Sequence, residues 1–414
     1  MTNEYFTTLK SCRSCGSEKF KEFINLGNQS ITSSFPRSDE PDPGEAPLVL
    51  IQCQECNLLQ LKHTVNADLM YSEQYGYRSS INESMIRHLK GLTSFIEDNY
   101  KLKEGDIILD IGCNDGTLLK SYTTKNLKRL GIDPIAHHFA KYYPKDIKTL
   151  GAYFDKLNFQ KLASKSKAKV ITSISMFYDL PNPLKFARDI SDCLDEDGIW
   201  ILEQSYLPTM IEMNSFDTIC HEHLEYYDLK SISYILEKSN LKIIDVTLNE
   251  TNGGSFRLFV THSNSTKYKV KESVNDLAAS EKLFFDSNQY NSFQERIHNL
   301  KLELKNFIIN EMRKGKVFFI YGASTKGNTL LQYFELDNKM FPAAAERNPD
   351  KFGKVTPGTR IPIISESEAR ARKPDYFLVL PWHFKESIIV REKEFLENGG
   401  TLIFPLPSLS FVKK

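Results

Sequence analysis

The chain has 414 residues, with 53 basic side chains, 53 acidic ones and 41% hydrophobic residues. That length exceeds one ordinary core and points to two or three domains. The cancelled charge argues against a sequence-independent nucleic-acid binder, which needs a basic face, and no apolar run approaches the ~18 residues that span a bilayer.

Met1-Thr2-Asn3-Glu4-Tyr5 lacks the basic and apolar regions of a signal peptide, so a cytoplasmic protein is expected. In that compartment the seven cysteines read as metal ligands and buried thiols rather than disulfides. Four are organised as two knuckles, Cys12-Arg13-Ser14-Cys15 and Cys53-Gln54-Glu55-Cys56. Each C-x-x-C lets two thiolates reach one ion, and two pairs complete a tetrahedral Zn²⁺ shell, which makes the site structural. The stretch between them exceeds that of common zinc ribbons, and Pro36, Pro41, Pro43, Gly44 and Pro47 supply an inserted loop. Residues 1–70 form this zinc module.

From 71 to 265 strands and helices alternate, which implies a mostly parallel sheet covered on both faces. Strands are predicted at 106–111, 128–132, 169–175, 198–203, 241–247 and 255–262, with helical patterns at 181–194 and 229–239. The last two strands, joined at Asn252-Gly253-Gly254, are expected to form an antiparallel edge. The most informative stretch is Asp106-Ile107-Ile108-Leu109-Asp110-Ile111-Gly112-Cys113-Asn114-Asp115-Gly116. A buried strand ends there in an acid and two spaced glycines, which let the backbone approach a ligand, and a helix start follows. Asp133 closes the next strand, where a carboxylate suits the hydroxyls of a ribose. Candidate cofactor ligands are Asp110, Gly112, Asn114, Gly116 and Asp133.

Phe216-Asp217-Thr218-Ile219-Cys220-His221-Glu222-His223-Leu224-Glu225-Tyr226-Tyr227 is dense in reactive groups. It follows the strand that ends at Glu203, so it is expected over the crevice at the carboxyl ends of the sheet. Histidines flanking a glutamate place a neutral-pH base beside a group that can orient it. Their spacing of two excludes the helical H-E-x-x-H zinc pattern.

Residues 266–414 begin with a helical stretch, 270–312, and continue as a smaller α/β pattern with strands at 317–321, 375–380 and 400–404. The turn Gly322-Ala323-Ser324-Thr325-Lys326-Gly327-Asn328-Thr329 offers N–H groups, hydroxyls and one lysine to an anion such as phosphate. It lacks the G-x-x-x-x-G-K-[ST] order of a nucleotide hydrolase.

Taken in order, the C-x-x-C pairs, the D-x-G-x-x-x-G turn, Tyr75-Gly76-Tyr77-Arg78-Ser79-Ser80, His221-Glu222-His223, Asn252-Gly253-Gly254-Ser255, the 322–329 turn, Glu346-Arg347-Asn348-Pro349 and Thr356-Pro357-Gly358-Thr359 span nearly the full chain. The whole resembles the nucleotide-deoxysugar C-methyltransferases. That resemblance implies an α/β protein of three parts: a small N-terminal zinc module, a central class I, Rossmann-like S-adenosylmethionine (SAM) methyltransferase sheet, and a smaller Rossmann-like C-terminal domain that assists nucleotide-sugar binding. It implies two cofactors, SAM and a structural Zn²⁺, and a small-molecule nucleotide-sugar substrate for a monomer with no nucleic-acid or membrane partner. The reaction implied is methylation of carbon 3, next to the 4-keto group of a 4-keto-6-deoxy sugar, through an enolate. His223 becomes the candidate base, with Glu222, Tyr75, Tyr77 and His221 as further catalytic candidates. Tyr178, Asn252, Ser255, Ser324, Thr325, Lys326, Asn328 and Arg347 become candidates for substrate binding. Cys220 departs from the tyrosine of the best-known members, and a thiol cannot play a phenol's part unchanged. Two rival readings remain open: an O- or N-methyltransferase, and a non-catalytic zinc- and nucleotide-binding module.

Overall fold

The computed structural model describes residues 5–32, 34–70 and 78–414. The two C-x-x-C knuckles are joined by regular structure. β1 (Phe6–Thr8), β2 (Phe20–Ser30), β3 (Glu45–Cys53), β4 (Leu59–Leu61) and β5 (His63–Val65) follow in chain order. The long gap between cysteine pairs, expected as an inserted loop, is mainly the antiparallel β2–β3 hairpin, and the proline-rich stretch makes its connection.

The central region contributes β6 (Ile107–Ile111), β7 (Lys128–Ile132), β8 (Ile147–Leu150), β9 (Ala168–Ile174), β10 (Leu194–Ser205), β11 (Glu225–Tyr226), β12 (Leu241–Asn249) and β13 (Ser255–His262). Seven of these form one sheet in the order β12-β13-β10-β9-β6-β7-β8. β6 to β10 run parallel, while β13 is antiparallel to both its neighbours. β12 and β13 therefore form the expected antiparallel edge, with β13 bonded to β10 and β12 outermost. Both faces are buried, as a parallel sheet requires. Leu109, Ile111, Trp200 and Leu202 pack under the helices Pro183–Cys193 and Leu229–Glu237, and Ile108, Val170 and Ile201 pack under the helix Glu83–Tyr100. The strand order reverses between β6 and β9, so the crevice for a ligand opens at their carboxyl ends.

β11 does not join that sheet. It pairs with β4 and completes the four-stranded sheet β11-β4-β3-β2 of the zinc module.

The C-terminal part holds β14 (Phe318–Tyr321), β15 (Ala344–Glu346), β16 (Ile363–Ser365), β17 (Tyr376–Val379), β18 (Thr401–Phe404) and β19 (Ser410–Val412) in the order β16-β15-β14-β17-β18-β19. Only β19 is antiparallel. The stretch 270–312 is three helices, Glu272–Asp286, Asn288–Asn291 and Phe293–Arg313. The chain is extended at Ser287, whose hydroxyl then accepts the Gln289 N–H and starts the next turn. One apolar core joins this domain to the zinc module and the reactive segment: Ile24, Leu50 and Leu61 share it with Phe216, Leu224, Phe318 and Leu330.

Candidate active site

Gly112 and Gly116 both adopt positive φ, at 71° and 75°, which glycine alone takes without strain. The turn between them is held by carboxylates. Asp133 accepts the Asn114 N–H at 2.9 Å through one oxygen and the Ile135 N–H at 2.9 Å through the other. Each oxygen keeps a further lone pair, so the carboxylate can accept from the hydroxyls of a diol such as the SAM ribose. Asp110 plays a different part. Its carboxyl is buried beneath the turn, takes the Thr172 hydroxyl at 2.6 Å, and is pushed up to about 7 by burial. That bond ties β6 to β9 at their carboxyl ends. Ser79 N–H donates to Asn114 Oδ1 at 3.0 Å and Ser80 N–H to Asp115 Oδ2 at 3.2 Å, so the Arg78-Ser79-Ser80 stretch closes on the turn. Tyr75 and Tyr77, expected next to it, lie outside the described residues.

His223 is buried in the reactive segment. Its Nδ1–H donates to the Thr218 carbonyl at 2.8 Å, and its ring lies 4.2 Å from that of Tyr178. The carbonyl fixes the tautomer and leaves Nε2 with a free lone pair. Burial, with the Lys326 ammonium nearby, holds the imidazole down at about 3, so it is neutral at physiological pH. A Cys220 thiol, a Glu222 carboxylate oxygen and a His223 ring nitrogen lie within 4.8 Å of one another. Burial first, then Glu222, raises the Cys220 thiol well above its ordinary value. His221 points elsewhere: its Nε2–H donates to the Ala46 carbonyl of β3 at 3.0 Å.

The C-terminal domain reaches into this neighbourhood. Lys326 Nζ donates to the Asn252 carbonyl at 3.0 Å, and burial lowers its ammonium against the opposing pull of Asp217. Asp217, wholly buried, also takes the Trp382 Nε1–H at 3.0 Å. Asp217 lies in the segment expected over the crevice without being a candidate in its own right, and Trp382 was not expected there. Pro381-Trp382-His383 directly follows a strand, the position from which residues reach a crevice, and one of only two tryptophans sits there. Asn252, at φ 57°, donates its amide to Ser175 Oγ at 3.2 Å, and Ser175 itself sits at φ 55° where β9 ends. Asn328 is fully buried with neither amide atom paired.

Four further candidates are placed by their local structure. Ser255 Oγ donates to the Thr251 carbonyl at 2.9 Å, and Ser324 caps the helix Thr325–Phe334 by accepting the Gly327 N–H. Thr325 opens that helix, and Arg347 is exposed beyond β15. In the turn at 322–329, expected to offer N–H groups to an anion, some of those groups have partners within the protein. Glu346 Oε2 takes the Ala323 N–H at 2.8 Å, and Ser324 takes those of Gly327 and Asn328.

At the other end of the chain, the Sγ atoms of Cys12, Cys15, Cys53 and Cys56 lie within 4.8 Å of one another. The Gly16 N–H turns back to the Cys12 carbonyl at 2.9 Å and the Asn57 N–H to that of Cys53 at 3.0 Å, each residue at positive φ. Gln60 Nε2 donates to Cys12 Sγ at 3.1 Å. Four converging sulfurs with an amide donor fit a closed structural Zn²⁺ site.

Comparison with known proteins agrees with this anatomy. Family models match in sequence order: a zinc binding domain over residues 12–71, a methyltransferase domain over 81–246 and a C-methyltransferase C-terminal domain over 250–407. The chain is 28% identical to C-methyltransferase NovU of Streptomyces niveus over 96% of each chain. Among solved structures, the mitomycin 7-O-methyltransferase MmcR is 12% identical, with 44% of this chain and 55% of that one covered at a TM-score of 0.35. A SAM-dependent methyltransferase from Clostridium acetobutylicum is 14% identical, with 43% and 92% covered at 0.34. A zinc binding domain, a methyltransferase domain and a C-methyltransferase C-terminal domain are thus matched in order, with a C-methyltransferase relative aligned from end to end, and the chain is a SAM-dependent methyltransferase.

Proposed function

We propose that the protein methylates carbon 3 of a nucleoside-diphosphate 4-keto-6-deoxy sugar through an enolate, with His223 as the base. The observation that carries this reading is the hydrogen bond from His223 Nδ1–H to the Thr218 carbonyl. It presents an unprotonated Nε2 inside a buried site, which is the form a proton acceptor must have. A C–H bond is not nucleophilic, so methylation at carbon needs such a base, whereas a lone-pair nucleophile does not.

The proton next to the ketone passes to His223 Nε2, and the Glu222 carboxylate, close by, stabilises the imidazolium that forms. Negative charge then develops on the ketone oxygen. Lys326, the cation whose field His223 feels, is the group that balances it. SAM, held at the Gly112–Gly116 turn and Asp133, supplies the electrophilic methyl group. Ser175 and Asn252 border the place where the two reactants meet. The unpaired Asn328 amide offers a donor and an acceptor to the nucleotide sugar, with Thr325 and Arg347 further out on the C-terminal domain, to which we assign nucleotide-sugar binding.

The test is product identity. Purified protein is incubated with SAM and a panel of thymidine- and guanosine-diphosphate 4-keto-6-deoxy sugars, and the new methyl group is located by NMR. Methyl on carbon 3 is expected, and methyl on oxygen or nitrogen overturns the proposal.

A further inference from the structure

The zinc knuckle and the reactive segment are not separate features of this molecule. Leu224-Glu225-Tyr226 lies as an added strand on the zinc sheet, with Glu225 opposite Gln60 and Tyr226 opposite Leu59, and the Leu61 N–H donates to the Leu224 carbonyl at 2.8 Å. Gln60 is the residue whose amide reaches Cys12 Sγ, and its Oε1 accepts the Arg13 N–H at 3.1 Å. Arg13, inside the first C-x-x-C, is buried. One of its terminal nitrogens donates to the Leu61 carbonyl and the other to Thr64 Oγ1, each at 2.7 Å, while its Nε lies 3.5 Å from Glu225 Oε1. The Glu225 side chain is 0% exposed and neither oxygen has a hydrogen-bond partner; burial pushes its carboxyl well above the ordinary range, against the opposing pull of Arg13, the basic group that faces it.

We propose that Arg13 and Glu225 are positioning residues that tie the metal knuckle to the segment carrying His223, so that the state of the zinc site and the placement of the base are coupled. This rests on the reading of His223 as the base. A buried carboxyl group facing one buried guanidinium fixes register at the point where β11 meets β4, two residues from His223. Without that pair the added strand loses its anchor, while the four thiolates still close around the ion. Coupling of this kind is reciprocal: what loosens the strand also loosens the knuckle.

The experiment uses the full-length zinc protein and the isosteric Glu225→Gln variant, with Arg13→Lys as a second variant that keeps the charge and loses the fork. Three readouts are compared: zinc content, the rate at which a chromophoric chelator withdraws zinc, and the His223 imidazole signals in ¹H–¹⁵N spectra. We expect both variants to retain one zinc, to surrender it at least tenfold faster, and to show a displaced or broadened His223 Nδ1–H resonance. Should a variant fail to fold, a third variant decides: His223→Asn should itself change the chelation rate relative to the wild type, and an unchanged rate overturns the proposal. Unchanged zinc release and unchanged His223 signals would overturn the proposal. Because neither readout uses turnover, a failure of the methyl-transfer reading shows separately, in the product assay.

Discussion

Lys326 Nζ and the Asn252 carbonyl, 3.0 Å apart, join the first turn of a C-terminal helix to the hairpin that closes the central sheet. Through that contact a cation from one domain stands near the His223 imidazole of another. Replacing Lys326 by Met keeps the length of the side chain and removes its charge. We expect kcat to fall by a factor of about 10² to 10³, the scale for loss of a group that stabilises a developing oxyanion. SAM affinity should stay as it was. Single-turnover methyl transfer with calorimetric SAM binding measures both.

Asp133 should set SAM affinity. Asp133→Ala removes an acceptor of charge-assisted hydrogen bonds worth about 1.5–3 kcal/mol, so SAM binding should weaken roughly ten- to a hundredfold. Calorimetric titration checks this, and an unchanged affinity places the ribose elsewhere.

Zinc should support the fold. Cys12→Ser or Cys53→Ser leaves three thiolates, and metal binding and folding are coupled in such modules. Both variants should carry less than one zinc per chain by elemental analysis and unfold at lower temperature than the parent.

Two histidines should make the protein acid-labile. Burial holds His221 down at about 4 and His223 at about 3, whereas the unfolded chain titrates near 6.5. Below about pH 6.5 the unfolded state therefore binds more protons than the folded one, and stability falls as pH drops toward 4. Each residue contributes about 1.4 kcal/mol per pH unit across that window, or about 2 kcal/mol between pH 6.5 and 5. Urea unfolding at pH 7, 6 and 5 should show a shallower loss in His221→Asn than in the parent. Equal slopes would place His221 in contact with water.

Much of the central sheet could be read in the sequence because β6 is an apolar run that ends at Gly112, β7 closes at Asp133, and β9 and β13 are rich in β-branched and aromatic residues. β8, β15, β16 and β19 were missed: at three or four residues each, they are too short for a periodic pattern. β11 was missed for a different reason. Its two residues lie among reactive side chains, and its partner strand belongs to the zinc module 165 positions earlier in the register Glu225–Gln60. No local pattern carries such a pairing. The same holds for Lys326, whose neighbours come from Asn252 and Asp217 in another domain, and for Trp382 on Asp217. Spacing marked the four cysteines and Asp133 because metal and turn geometry are local constraints. Contacts between domains leave no such trace.

The account stands on proton removal by His223. The direct measurement is uptake of deuterium from D₂O at carbon 3 of the 4-keto sugar by enzyme without SAM, followed by NMR for the parent and for His223→Asn at matched thermal stability. The parent should exchange that proton, and His223→Asn should slow exchange by a factor of about 10² to 10⁴ while still binding SAM. Exchange in His223→Asn at the parental rate would contradict the assignment of the base, the more so if His221→Asn were then inactive.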